Sequence, residues 1–157
     1  MNALTNNLTS LRPYLKTTYD VTELLDSLQT VQNNIFKGHT TLAENLETQI
    51  PVPLSSIIIK LATTQQVRLD DPVTSGQFLA QLQDAIKNIP VLHLTISFSP
   101  TLQLINQLSD WLLLNMPHHV ILDFTTDRTL IGGAKVGFQG KYVDHSLKKQ
   151  VAGLFRV

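Results

Sequence analysis

An α+β fold, in which an N-terminal α-helical bundle precedes a small βαββα domain with a mixed sheet, is predicted from the way hydrophobic residues repeat along the chain. Through residue 89 they recur every three or four positions, the spacing of helices with one buried face. At Val91 the period drops to two, in "VLHLTISF" and again in "HVILDFTT", as expected of half-buried strands. Further on, Gln139-Gly140 separates two short runs, "GAKVGF" and "KYVD", the pattern of a tight hairpin whose turn exploits a glycine. The change of period near Pro90 marks the expected boundary, with a bundle over 1–89 and a second domain over 90–157.

The elements follow in order. "DVTELLDSLQTVQNNIF" starts with Asp20 and Glu23 in capping-box spacing and sets Leu25, Leu28, Val31 and Ile35 on one face. Thr41 and Glu44 repeat that spacing at the start of "TTLAENLETQI", which stops before Pro51-Val52-Pro53. "LSSIIIKLATTQQ" reads two ways. Its run Ile57-Ile58-Ile59 suits a buried strand, whereas its length and position favour a buried helix. In "DDPVTSGQFLAQLQDAIKNIP", Asp71 is the expected cap and Pro72 the first helical residue. Leu79, Leu82, Ile86 and Ile89 form its stripe, and Pro90 ends it.

In the first strand Leu92, Leu94, Ile96 and Phe98 share a face, opposite His93, Thr95 and Ser97. An amphipathic helix, "PTLQLINQLSDWLLLN", opens at Pro100 with Trp111 in its core-facing stripe. "HVILDFTT" then places Val120, Leu122 and Phe124 together. Strand, helix and strand in succession imply a right-handed parallel crossover. After the hairpin, "HSLKKQVAGLF" is expected to form a last helix with Leu147, Val151 and Leu154 inward.

Composition narrows the function. Apolar residues make up 43% of the chain, enough for a folded core, and charged residues only 15% against a usual quarter or so. Twelve basic and twelve acidic residues cancel, so no overall field draws the chain to nucleic acid or an anionic membrane. Without cysteine there is no disulfide, thiol chemistry or Cys-ligated zinc, and a reducing compartment is compatible. "MNALTNNLTSLRPYLK" lacks the layout of a signal peptide, and "LSSIIIKLA" and "WLLLNM" are far too short to span a bilayer. A soluble, cytoplasmic protein without direct membrane insertion is expected.

Chemistry-bearing residues are few. Gly132-Gly133 precede a strand rather than a helix and fit neither GxGxxG nor GxxxxGK[ST]. They are read as a sharp turn that a Cβ would obstruct. Asp144-His145-Ser146 has the residue types of a hydrolytic triad, but consecutive residues cannot align in relay. Asp144 or Ser146 is read instead as the cap of the last helix. His118 and His119, if they enter a strand, point to opposite faces and cannot share an ion. His93 and Asp123 fall on the polar faces of adjacent strands, where they could form a pair at a buried edge. Lys141, Lys148, Lys149 and Arg156 make the last hairpin and helix basic and are candidate contacts for an acidic partner helix. No metal, cofactor or catalytic residue is indicated, which leaves binding.

"DRTLIGGAKVGFQGKYVDHSLKKQVAGL" resembles the C-terminal signature of the delta subunit of F-type ATP synthases, the counterpart of the mitochondrial oligomycin-sensitivity-conferring protein. The matching residues are Asp127, Leu130, Ile131, Gly132, Gly133, Gly140, Asp144, Ser146, Leu147 and Lys148. Lys148 stands where the family usually carries Arg, which keeps the charge and loses the bidentate fork. The strand, helix and strand over 91–126 also suit the family, whose N-terminal bundle is usually longer than residues 1–89.

The resemblance implies a short form of a stator subunit without activity or cofactor of its own. The bundle would hold N-terminal segments of the alpha subunits of the catalytic head, and the second domain the far end of the b subunits of the peripheral stalk. Its place would be the cytoplasmic face of a bacterial cell membrane. Two other readings remain at this point. One is a helical-bundle adaptor of another complex; the other is a small enzyme using His93, Asp123 and the basic tail on an anionic substrate.

Overall fold

A computed structural model describes residues 8–38 and 40–147. Its elements group into two units. The first takes residues up to Leu15 and then Tyr19–Asn88; the second takes Lys16–Thr18 and everything from Ile89 onward.

The first unit is helical. After a 3-10 turn at Leu8–Leu11 come α1 (Thr18–Ile35), α2 (Leu42–Gln49), α3 (Leu54–Thr64) and α4 (Pro72–Lys87). On α1 the buried residues are Leu24, Leu28, Val31 and Ile35, so Leu24 takes the place expected of Leu25. The helix also begins at Thr18, which puts Asp20 inside its first turn rather than at the cap. There its charge still favours the positive helix end.

The capping box of α2 forms as expected. The Glu44 amide donates to Thr41 Oγ1 at 3.3 Å, and the Thr41 amide donates to Glu44 Oε2 at 2.9 Å. The ambiguous isoleucine run is helical: Ile58 is fully buried in α3, while Ile57 and Ile59 are half-buried. Length decides the matter, because eleven residues with a stripe at 55, 58, 61 and 62 bury a helix face. Beyond α3 the amides of Val67 and Gln66 return to Ala62 and Thr63 carbonyls at 3.0 Å each, a Schellman ending that puts Gln66 at φ 59°. Asp71 caps α4, accepting from the Val73 and Thr74 amides, with Pro72 as first helical residue.

The second unit is built on four strands in the order β2-β1-β3-β4, with β1 (Val91–Ile96), β2 (Ile121–Thr126), β3 (Ala134–Phe138) and β4 (Lys141–Asp144). β1 and β2 run parallel, joined by α5 (Leu102–Asn115), and the other pairs are antiparallel, so the sheet is mixed. Leu94, Leu112, Val120 and Leu122 form the buried core between α5 and one sheet face, flanked by Leu92, Leu108, Met116, Phe124, Val136 and Phe138. The alternation of β1 and β2 aims these side chains at the helix.

Three expectations are corrected here. β1 stops at Ile96, so Phe98 lies past the ladder and is 54% exposed. Trp111 is not in the core: it is 57% exposed, and Leu114 on the same helix is 86% exposed, because the buried arc is taken up by Leu108, Ser109 and Leu112. His118 and His119 precede β2 instead of entering it, so strand alternation does not set their directions. The expected last helix lies outside the described residues beyond Leu147.

Candidate functional site: the double-glycine turn and the sheet face beside it

Of the matched residues, Asp127, Leu130, Gly132, Gly133, Asp144, Ser146 and Leu147 come together as two turns locked against one another. Asp127 begins the first. Its amide donates to the Ile96 carbonyl at 2.8 Å, fixing the exit from β2 against the end of β1. Its carboxylate Oδ1 accepts from the Thr129 hydroxyl at 2.6 Å and the Thr129 amide at 3.0 Å, and Oδ2 lies 3.7 Å from Lys135 Nζ. The Thr129 side chain, with its amide and Lys135, holds the Asp127 carboxyl below the usual carboxylate range. The turn closes with the Leu130 amide on the Asp127 carbonyl at 3.1 Å, burying Leu130 while leaving Ile131 63% exposed.

The glycines make the second turn. Gly132 and Gly133 have φ of 86° and 76°, a region that side chains disfavour. Space is as restrictive as conformation. A Cβ on Gly133 would stand 2.3 Å from the His145 carbonyl oxygen and 2.9 Å from Ser146 Cα. Through that gap the chain after β4 passes close enough to bond: the His145 amide reaches the Ala134 carbonyl at 2.9 Å and the Leu147 amide the Gly132 carbonyl at 3.2 Å. Asp144 Oδ1 accepts from the Ser146 amide at 2.8 Å, and Ser146 is buried. The group is thus a backbone lock, with a carboxylate capping the turn and the serine hidden from any substrate.

Gly140 is different. With Gln139 at φ 47° and Gly140 at φ 77° it completes a hairpin turn in open space. Lys141 follows on β4, exposed. Lys148, Lys149 and Arg156 lie outside the described residues.

His93 and Asp123 are paired as strand neighbours, with Nδ1 and Oδ2 2.8 Å apart. The expected buried edge is not there: the two side chains are 64% and 34% exposed. Thr18 Oγ1 donates to Asp123 Oδ1 at 3.0 Å. A nucleophile would need to donate to the imidazole, and this hydroxyl donates to the carboxylate behind it. The trio is arranged to hold strands. Nothing in the sequence pairs Thr18 with a residue so far along the chain.

Beside His93, an open cleft of about 500 Å³ is lined by Pro90, Val91, Gly137, Phe138, Lys141 and Tyr142. Among the described residues no cluster of three or more metal-ligating types occurs, and no helix is long and apolar enough to cross a membrane.

The family model for the ATP synthase delta (OSCP) subunit matches residues 1–156. This chain belongs to that family. No curated protein matches it individually. Membership makes the delta-family chain a subunit of the ATP synthase peripheral stalk, a structural part of the complex rather than a catalytic one. Around the double-glycine lock, Ile131, Tyr142, Val143 and Leu147 are exposed apolar residues.

Proposed function

We propose that this delta-family subunit is the tether that keeps the catalytic head from turning with the rotor. In this reading the helical unit, expected over 1–89, holds N-terminal segments of the alpha subunits. The sheet unit, expected over 90–157, holds the far end of the b subunits, on the cytoplasmic face of a bacterial cell membrane. The observation that carries the reading is the family match over residues 1–156. A tether needs two gripping surfaces on one chain, and the division of contacts into a helical and a sheet unit is consistent with that need.

Rotary torque has to be resisted without blocking rotation, and a partner helix laid into an apolar groove suits the task because it buries surface over several turns. Exposed apolar side chains are available in both units, Tyr19 and Val73 in the first and Trp111 and Leu114 in the second. Lys141, with Lys148, Lys149 and Arg156, is assigned to an acidic partner segment, where exposed charges set register and association rate more than affinity.

Reconstitution tests the role. Heads added to head-stripped membranes should couple ATP hydrolysis to proton pumping only when this chain is present, and free heads should hydrolyse ATP equally well without it. Loss of hydrolysis by free heads lacking the chain would contradict a purely mechanical part.

A further inference from the structure

His93, Gly137 and Tyr142 are cross-strand neighbours in one row over β1, β3 and β4, so all three belong to the same sheet face. By the alternation of β1 it is the face opposite Leu92 and Leu94, which pack toward α5. The two rings stand exposed on either side of the glycine. The fold itself does not require glycine at 137. It is not among the glycines of positive φ, and an added Cβ would meet only His93 Cβ at 3.6 Å and Tyr142 Cδ2 at 3.8 Å, ordinary contact distances. A glycine inside a strand is destabilising relative to alanine, and it often marks a place that another group approaches closely. The ladder between β1 and β3 also ends early. It stops at Leu92–Phe138, and Val91 forms no pair with Gln139, which at φ 47° has turned away into the hairpin. The cleft opens there, and its volume of about 500 Å³ falls within the roughly 300–1,000 Å³ of ligand sites.

The groups at its wall define what fits. Among the described residues no carboxylate lines the cleft, whereas Lys141 does. Lys141 is exposed and belongs to neither of the ion pairs of the described residues, His93–Asp123 and Lys135–Asp127. His93 brings an acceptor. A carboxylate only accepts, so Nδ1 carries the proton toward Asp123, and Nε2 of the neutral ring is left to accept from another donor. Carbon atoms of Pro90, Val91, Phe138 and the Tyr142 ring supply the rest of the wall. We infer that this cleft seats a short stretch of a partner polypeptide in which an acidic residue adjoins an apolar one. The acidic side chain pairs with Lys141, a backbone N–H of the stretch donates to His93 Nε2, and the apolar side chain lies on Gly137 beside the Tyr142 ring. A free carboxylate would satisfy Lys141 alone, whereas a polypeptide brings the acid, the N–H donor and the apolar group together. Asp123 is a positioning residue here, because its bond to Nδ1 sets which ring nitrogen accepts. Naming the partner as the b subunit of the peripheral stalk rests on the proposed function; the preference of the cleft for acid beside apolar does not.

Calorimetric titration of the full chain with the soluble part of the b subunit from the same organism tests the site. Gly137→Ala should raise the melting temperature yet weaken binding about fivefold or more, a combination that a merely structural glycine would not give. Lys141→Gln should weaken binding roughly tenfold, and Lys141→Arg, which keeps the charge, should stay within about threefold. Unchanged affinity in either Gly137→Ala or Lys141→Gln would overturn the cleft and leave the tether standing. Should Gly137→Ala not fold, Lys141→Gln decides alone. If the b subunit does not bind the unaltered chain, the proposed partner fails and a peptide decides for the cleft. Acetyl-Leu-Glu-Leu-amide at millimolar concentration, followed by NMR, should shift the Gly137 and Lys141 amides saturably, and acetyl-Leu-Gln-Leu-amide should bind about fivefold more weakly or less. Shifts that do not saturate, or that are equal for the two peptides, would overturn the inference.

Discussion

Replacing Gly133 by alanine should be among the most damaging single-methyl additions in the sheet unit, and Gly140→Ala should be its mild counterpart. Both glycines sit at nearly the same φ, 76° and 77°. An alanine there costs about 1–2 kcal/mol of left-handed strain, of which about 0.4–1 kcal/mol is returned by the stiffer unfolded chain. At Gly140, where a Cβ meets nothing within 4 Å, that is the whole effect, about 0.5–1 kcal/mol. At Gly133 the Cβ would lie 2.3 Å from the His145 carbonyl oxygen, a backbone atom that no rotamer change can move aside. The segment after β4 must shift, and the two amide bonds from His145 and Leu147 are then lost or stretched. At about 1 kcal/mol each, with the strain and the disturbed burial of Ser146 added, the total is about 3–4 kcal/mol. Domain stabilities are on the order of 5–15 kcal/mol, so the variant should remain folded and measurable. Urea unfolding followed by circular dichroism and by Trp111, the single tryptophan and a residue of the sheet unit, reads the difference. A Gly133→Ala cost no greater than that of Gly140→Ala would refute the packing argument.

Other substitutions test other parts of the account. Gln66→Gly should stabilise the helical unit by about 0.5–1 kcal/mol in thermal melts, because glycine relieves the strain of the Schellman position while costing some unfolded-state entropy. Ser55→Ala should stabilise it by about 1 kcal/mol in urea titration, since the Ser55 hydroxyl is fully buried without a hydrogen-bond partner; a loss of stability would show that the hydroxyl is satisfied in solution. Asp71 is held below the usual carboxylate range by the Thr74 side chain and the Val73 amide, as Asp127 is by Thr129. A depressed carboxylate stabilises the fold above its unfolded pKa and ceases to do so as pH falls through the folded one. Both contributions should therefore fade from about pH 3.8 downward. Asp71→Asn and Asp127→Asn should each flatten that acid limb in melting temperature against pH.

Local signals in the sequence carried much of the fold. The box at Thr41 and Glu44, the cap at Asp71 with Pro72, and the Gln139-Gly140 turn each depend on atoms within a few residues of one another, and each is as expected. The double glycine was legible for a similar reason, since a turn into a strand at that spacing admits little else. What was illegible depends on distant partners. Trp111 has the spacing of a core residue, but which arc of α5 is covered depends on the sheet it meets. The exposure of the His93–Asp123 pair depends on what lies over that sheet face, and the seat of Lys16–Thr18 on a strand more than a hundred residues away. No periodicity encodes such a contact. The signature residues were found as a pattern, and the structure supplies their reason: Asp127 and Asp144 cap turns, and Gly133 gives room for the chain that Asp144 directs.

The most direct test of the tether is calorimetric titration of the full chain with a synthetic N-terminal peptide of the alpha subunit from the same organism. Saturable one-to-one binding, unaffected when the soluble part of the b subunit is already bound, is the result this account predicts for two separate grips on one chain. No heat of binding from a soluble peptide to the folded protein would contradict it.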